Sequence, residues 1–138
     1  MDGYGPVTSY QIREHETPTV LVVEDDILVR MLMTDSLREA DYKVIEASNG
    51  DQAIAILRSG TKVHVVLSDV RMPGSLDGVD LAKLVKAELP QVKFVLVSGH
   101  LRPLEAVEHD GFFAKPYDVD RVIAYIQTLL RHEGLKGA

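Results

Sequence analysis

The chain of 138 residues contains no cysteine. That excludes a disulfide scaffold, a thiolate metal centre and a cysteine nucleophile. It also lacks basic charge in excess: 15 Lys and Arg stand against 21 Asp and Glu, for a net charge of -6. Nucleic-acid binding usually needs a basic patch, so that class of function is disfavoured. No apolar run approaches the ~20 residues of a membrane span. Met1 to Pro18 lacks the apolar stretch of a signal peptide. Repeats and low-complexity tracts are absent, and no linker is long enough for a second domain. A cytoplasmic protein free of membrane and nucleic acid is expected.

What remains is ordinary for a folded domain, with 46% hydrophobic and 26% charged residues. A chain this long buries most of its unfolded surface and needs no staple. Residues 1–18 read as an irregular arm rich in Gly, Pro, Ser, Thr and charge. Residues 19–131 carry the domain, and 132–138 form a polar tail. Terminal arms of this kind are often mobile.

Within the domain, short β-branched runs alternate with longer amphipathic segments. The strands are predicted at Thr19–Val23, Lys43–Ala47, Val63–Ser68, Lys93–Val97 and Phe112–Ala114. Four of these runs are apolar with little alternation, which suits strands buried on both faces of a parallel sheet. Helices are predicted over Ile27–Glu39, Asn49–Ser59, Asp77–Leu89, Pro103–His109 and Asp118–Leu130. Ile27–Glu39 places Leu28, Met31 and Leu32 on one face, with Ser36 at its margin. Asn49 suits an N-cap, and Pro90 follows the end of its helix. Asp118–Leu130 carries an unbroken stripe from Val119 to Leu130. Five β/α repeats predict a doubly wound α/β fold around a five-stranded parallel sheet.

Ligands of such sheets bind beyond the carboxyl ends of the strands. Glu24-Asp25-Asp26 follows the first strand, Asp69 the third, Ser98-Gly99 the fourth and Lys115-Pro116 the fifth. Acids, a hydroxyl and an amine therefore converge on one edge. Two carboxylates 4 Å apart repel by roughly 4 kcal/mol at an effective dielectric of 20. A hard cation relieves that repulsion, and ligands that are all oxygen suit Mg²⁺. A lysine beside it acts as a point charge for phosphate. A carboxylate there can act as nucleophile and form an acyl phosphate.

Each motif alone has an ordinary reading: an acidic helix start, a turn residue, a cap, surface punctuation. In order along one sheet edge, Val22–Asp26, Leu67–Pro73, Val97–Gly99 and Phe113–Pro116 resemble the receiver domain of two-component response regulators. The resemblance spans about Thr19 to Leu130. It implies a flavodoxin-like (βα)5 sandwich with strand order 2-1-3-4-5. It implies Asp69 as phosphoacceptor and Glu24 and Asp25 as the acidic pair, with Asp25 a direct Mg²⁺ ligand. Mn²⁺ is the alternative ion. Asp69 and the backbone carbonyl of Arg71 complete the implied ligands. Asp26 falls one position beyond the pair and is not counted. Ser98 would bond the phosphoryl group. Lys115 would pair with that group, or with Asp69 in its absence. Phe112 would be the aromatic switch that follows Ser98, and Gly78 the glycine that opens the third helix.

The chain departs from the family pattern in places. Ser98 to Lys115 is several residues short, leaving only Pro103–His109 for a shortened fourth helix. That helix belongs to the usual dimer face, so a monomer is expected. The loop Met72 to Gly78 is one residue longer than the common pattern, and Phe112 lacks the common tyrosine hydroxyl. Arg71 and His100 occupy positions that tune acyl phosphate lifetime.

With no output domain following, the resemblance implies a stand-alone signalling module that promotes its own phosphorylation and dephosphorylation and is otherwise no enzyme. Its partners would be a histidine kinase or phosphotransfer protein and an unidentified protein effector. A phosphate sink or relay intermediate has the same chemistry without an effector. An Mg²⁺-dependent phosphohydrolase of the haloacid-dehalogenase type would need a second acid where Arg71 stands. A degenerate interaction module fits poorly with an intact set of site residues. The other histidines suggest no metal site, and Tyr42, Tyr117 and Tyr125 read as packing residues.

Overall fold

The structure, a computed structural model, describes residues 17–99 and 108–132. Its elements are β1 (Thr19–Val23), α1 (Ile27–Glu39), β2 (Lys43–Ala47), α2 (Gly50–Arg58), β3 (Val65–Asp69), α3 (Gly78–Glu88), β4 (Lys93–Ser98), β5 (Gly111–Ala114) and α4 (Val119–His132). The five strands form one sheet in the order β2-β1-β3-β4-β5, and every pairing is parallel. This is the flavodoxin-like order expected, with the strand order reversing between β1 and β3.

Successive side chains in a strand point to opposite faces. Leu21, Val23, Val66, Phe94 and Leu96 pack against Ala53, Ile54, Leu57, Leu81, Ala82 and Val85 of α2 and α3. Val20, Val22, Val65, Leu67, Val95 and Val97 pack against Met33, Leu37, Val122, Ile123, Ile126 and Leu130 of α1 and α4. Both faces are buried, which is why these strands read as solid apolar runs. Each such side chain contributes roughly 1.5–3 kcal/mol through burial.

The helix starts are set by side chains. Asp26 caps α1, accepting from the amides of Leu28 and Val29 at 2.9 and 3.2 Å. Asn49 caps α2 as expected, accepting from Gln52. Asp77 caps α3 and forms a reciprocal capping box with Asp80. Such caps typically contribute about 1 kcal/mol each.

Two expectations change and a third lies mostly beyond the described residues. The Leu28, Met31, Leu32 stripe of α1 does share a face, but that face points to solvent: Leu28 is 73% exposed, Leu32 60%, Ile27 59% and Met31 48%. Helix α1 carries apolar residues on two faces, and the sheet takes Met33 and Leu37 instead. Thr34 is tolerated inside because its hydroxyl donates to the Met31 carbonyl at 3.1 Å. Strand β3 begins at Val65 and ends at Asp69, since its register pairs Val65 with Val20 and Asp69 with Val97. The helix expected over Pro103–His109 falls mostly outside the described residues; Glu108 and His109, which are described, are not helical.

Candidate functional site

The register brings the strand ends level. Val23 lies opposite Ser68, Asp69 opposite Val97 and Ser98 opposite Ala114. Glu24, Asp25, Asp69, Ser98 and Lys115 therefore line one edge of the sheet. Backbone bonds extend the ladder past the strands: Glu24 N–H to the Ala47 carbonyl at 3.1 Å, and Lys115 N–H to the Ser98 carbonyl at 2.7 Å. The Lys115–Pro116 peptide is cis.

One carboxylate oxygen each from Glu24, Asp25 and Asp69 falls within 4.8 Å of the others. Glu24 and Asp69 are buried, at 4% and 8% exposure, while Asp25 faces solvent. The Lys115 ammonium reaches 3.0 Å from Asp69 Oδ2 and 3.3 Å from Glu24 Oε1. Glu24 Oε2 accepts from the Asp26 amide at 3.0 Å. Three carboxylates and one ammonium leave the cluster two charges negative. A divalent cation balances that charge, and a donor set made only of oxygen suits Mg²⁺. Asp26 stands outside this group, and its Oδ1 caps α1 instead.

Electrostatics follow burial. Burial pushes the Glu24 carboxyl up, and the charge of Asp69 adds to it; the Asp26 amide and Lys115 oppose. Burial would lower the Lys115 ammonium, but the hydrogen bond and charge of Asp69 and the charge of Glu24 outweigh it, so its pKa rises. Lys115 thus stays charged. Burial also raises the Tyr117 phenol. Tyr117 lines a small cleft together with Val29, Met33, Val97, Glu24 and Asp69.

A carboxyl with a raised folded pKa favours the fold below its unfolded pKa and withdraws that support as pH rises through the folded value. At neutral pH the ionised Glu24 is a cost to the metal-free protein. Glu24→Gln is expected to raise Tm by a few degrees at pH 7 in low salt without metal, and to lose most of the Mg²⁺-induced shift. Calorimetric melts with and without Mg²⁺ check both parts; a lower metal-free Tm contradicts the first.

Other groups support the edge. Gly78 amide donates to the Val70 carbonyl at 2.7 Å. A Cβ on Gly78 would overlap the Asp69 carbonyl oxygen and sit 2.8 Å from Val70 Cα. Only glycine lets α3 start this close to β3. The long loop after Asp69 is stitched to α2: Ser75 Oγ donates to Asp51 Oδ1 at 2.7 Å, and a Cβ on Gly50 would meet the Leu76 carbonyl at 2.5 Å. Arg71 is exposed in that loop, and Ser98 is 3% exposed at the end of β4. Phe112 is half-buried and packs on the α2/α3 side of the core. His100 lies outside the described residues.

Sequence reasoning missed one member of this environment and gave only part of another. Tyr117 packs against the core as expected, and it also lines the cleft with Glu24 and Asp69. Arg30 was not singled out: its Nη1 donates to the Glu24 carbonyl at 2.8 Å and its Nε to Glu46 Oε1 at 3.1 Å. The available signal was a cation in the first turn of a helix after an acidic loop, where side chains lean back toward the N-terminus.

Comparison with known proteins agrees with this geometry. Residues 20–127 match the family model for the response regulator receiver domain. The chain is 35% identical over 121 residues to the sensor kinase CckA of Brucella abortus, covering 83% of this chain and 13% of that protein. It is 36% identical over 115 residues to the two-component response regulator ORR3 of Oryza sativa, covering 76% and 87%. It spans half the length or less of other curated relatives, 50% of BaeR and 25% of NtrC. The response regulator TrrA of Thermotoga maritima, solved in complex with Mg(2+)-BeF, has the same fold with a TM-score of 0.75 at 24% identity, covering 82% of this chain and 99% of that one. No helix among the described residues is long and apolar enough to cross a membrane. The sheet order, the acidic edge with its lysine and the match over most of the chain agree: the protein belongs to the response regulator receiver domain family.

Proposed function

We propose that this chain accepts a phosphoryl group on Asp69 from a histidine kinase or phosphotransfer protein, with Mg²⁺ held by Glu24, Asp25, Asp69 and the Arg71 carbonyl. Receiver domains are signalling modules whose phosphoryl acceptor role is general. The observation that carries the reading here is Lys115, whose ammonium bridges Asp69 and Glu24 beside three convergent carboxylates.

Chemically, an Asp69 carboxylate oxygen attacks the phosphorus of a phosphohistidine. The P–N bond breaks, its electrons return to the donor imidazole, and an acyl phosphate forms. The cation, when bound, neutralises the acids and the incoming phosphoryl oxygens. Lys115 exchanges its bond to Asp69 for one to the phosphoryl group. Ser98 donates to a second phosphoryl oxygen, and Phe112 follows it inward. Arg71 and His100 set the lifetime of the product. The changed surface then biases a protein contact.

The exposed apolar face of α1 fits the donor. It begins at Ile27, directly after the acidic loop, so a protein seated on it stands beside Asp69. Leu28→Ser is expected to slow transfer from a phosphorylated donor protein by about tenfold, the effect of about 1.4 kcal/mol. Uptake from a small phosphodonor stays within about twofold of wild type. Equal transfer from the donor protein contradicts the docking assignment.

The function itself is tested by intact mass after incubation with a small phosphodonor, with and without Mg²⁺. A single phosphoryl adduct that needs Mg²⁺ and maps to Asp69 is expected. An adduct mapping elsewhere overturns the reading, as does no binding of a beryllofluoride mimic by a protein that also forms no adduct.

A further inference from the structure

Glu24 is held at every polar atom, and one of the two side chains that hold it lies outside the acidic cluster. Its N–H is bonded to the Ala47 carbonyl of β2, and its carboxylate to the Asp26 amide and Lys115. The Glu24 carbonyl accepts from Arg30 Nη1 at 2.8 Å. Arg30 reaches back from the first turn of α1, and only 16% of its side chain is exposed. Its Nε is fixed in turn by Glu46 Oε1 at 3.1 Å, on edge strand β2, opposite Val22. Glu46 Oε2 also takes Arg38 Nη2 at 3.4 Å.

The local electrostatics make such a clamp useful. Glu24, Asp25 and Asp69 repel one another, and the backbone bonds of the loop hold the Glu24 N–H and the Asp26 amide while leaving the Glu24 carbonyl to Arg30. The loop is tied at Asp26 by the α1 cap, and at Val23 by the sheet. Between those points, the peptide joining Glu24 to Asp25 sets where both carboxylates aim. A bond to a guanidinium is charge-assisted and directional. It fixes the tilt of that peptide from outside, without spending a carboxylate.

We propose that Arg30 is a positioning residue for the acidic pair, locking the Glu24–Asp25 peptide so that both carboxylates converge, with Glu46 as its backstop. The inference rests on the reading that the acids hold Mg²⁺. Arg30 touches neither the metal ligands' carboxylates nor Asp69 in any bond described above; it acts through the backbone.

The sign of the effect separates this role from a plain electrostatic one. A positive charge near a cation site weakens metal binding, so removing it alone tightens binding. Removing a clamp weakens it. Mg²⁺ affinity is therefore measured by isothermal titration calorimetry on wild type, Arg30→Met, Arg30→Lys, Glu46→Gln and the Arg30→Met/Glu46→Gln double variant. Arg30→Met is expected to bind Mg²⁺ about three- to tenfold more weakly. Arg30→Lys, which keeps one donor, recovers part of that loss. Glu46→Gln weakens binding about twofold on its own, and adds nothing in the Arg30→Met background, as coupled partners do.

Unchanged or tighter binding in Arg30→Met, with wild type binding normally, overturns the assignment of Arg30 alone. An equal additional loss from Glu46→Gln in the double variant overturns the backstop. If Arg30→Met does not fold, Glu46→Gln decides: weaker binding supports the clamp and unchanged binding overturns it. Absence of Mg²⁺ binding by wild type overturns the metal reading itself, and is distinguishable from all of these.

Discussion

Asp69→Asn is expected to take up no phosphoryl group under conditions that label the wild-type protein fully. The amide keeps the shape of the side chain and removes the nucleophilic oxygen charge, so uptake falls by at least about a hundredfold. The fold does not suffer. Asp69 sits 8% exposed among two other acids, and losing its charge relieves repulsion with Glu24, whose carboxyl it helps to raise. Lys115 loses one partner and keeps Glu24. A metal-free Tm equal to or a few degrees above wild type is therefore expected with no adduct by intact mass. Undiminished uptake in the variant places the phosphoacceptor elsewhere.

The second large effect lies at Gly78. An added methyl there would overlap the Asp69 carbonyl and crowd Val70 Cα, both backbone atoms that cannot rotate away. Either α3 retreats or the end of β3 shifts. Overpacking of this kind typically costs about 1–3 kcal/mol, which lowers Tm by roughly 3–10 °C in a domain of this size. Because the displaced atoms belong to Asp69, Gly78→Ala is expected to slow phosphoryl uptake at temperatures where it remains folded. A thermal melt and an uptake time course read the two effects separately. Wild-type Tm and rate together would show that α3 has slack at its start.

Much of this was legible in the sequence because the sheet is buried on both faces. Solid β-branched runs such as Val63–Ser68 and Lys93–Val97 located the strands within two residues, and their ends located the acids, Ser98 and Lys115. Asn49 announced its own cap. Helix α1 was harder. Leu28, Met31 and Leu32 obey the same helical spacing as a core stripe, and periodicity cannot say which of two apolar faces meets the sheet. Only the placement of Met33 and Leu37 against β-strand neighbours decides that. Arg30 was obscure for another reason: its partner is a backbone carbonyl, of which the side-chain pattern gives only the faint trace of a cation after an acidic loop. Gly78 was legible as the glycine that opens the third helix, and the backbone contact that requires it became visible only in the structure.

Strand β5 joins the acidic edge to the rest of the domain. Its far end is pinned: Asp110 accepts from Lys86 at 2.6 Å and from the Phe94 amide at 2.7 Å, and its carbonyl takes the Tyr125 hydroxyl. Tyr125 in turn lies so close to Gly111 that a Cβ there would meet its ring. Its near end carries Lys115. Four residues span about 13 Å at the usual rise, so the pinned Asp110 and Lys115 stand at the two ends of one short strand. The ladder to β4 and the Lys115 N–H bond to the Ser98 carbonyl hold that strand along its length. Phe112 and Phe113 lie on its opposite sides, one toward the α2/α3 core and one edge-on to Tyr125. The strand that carries Lys115 is therefore wedged into both helical layers at once, and the position of its ammonium depends on the packing of each.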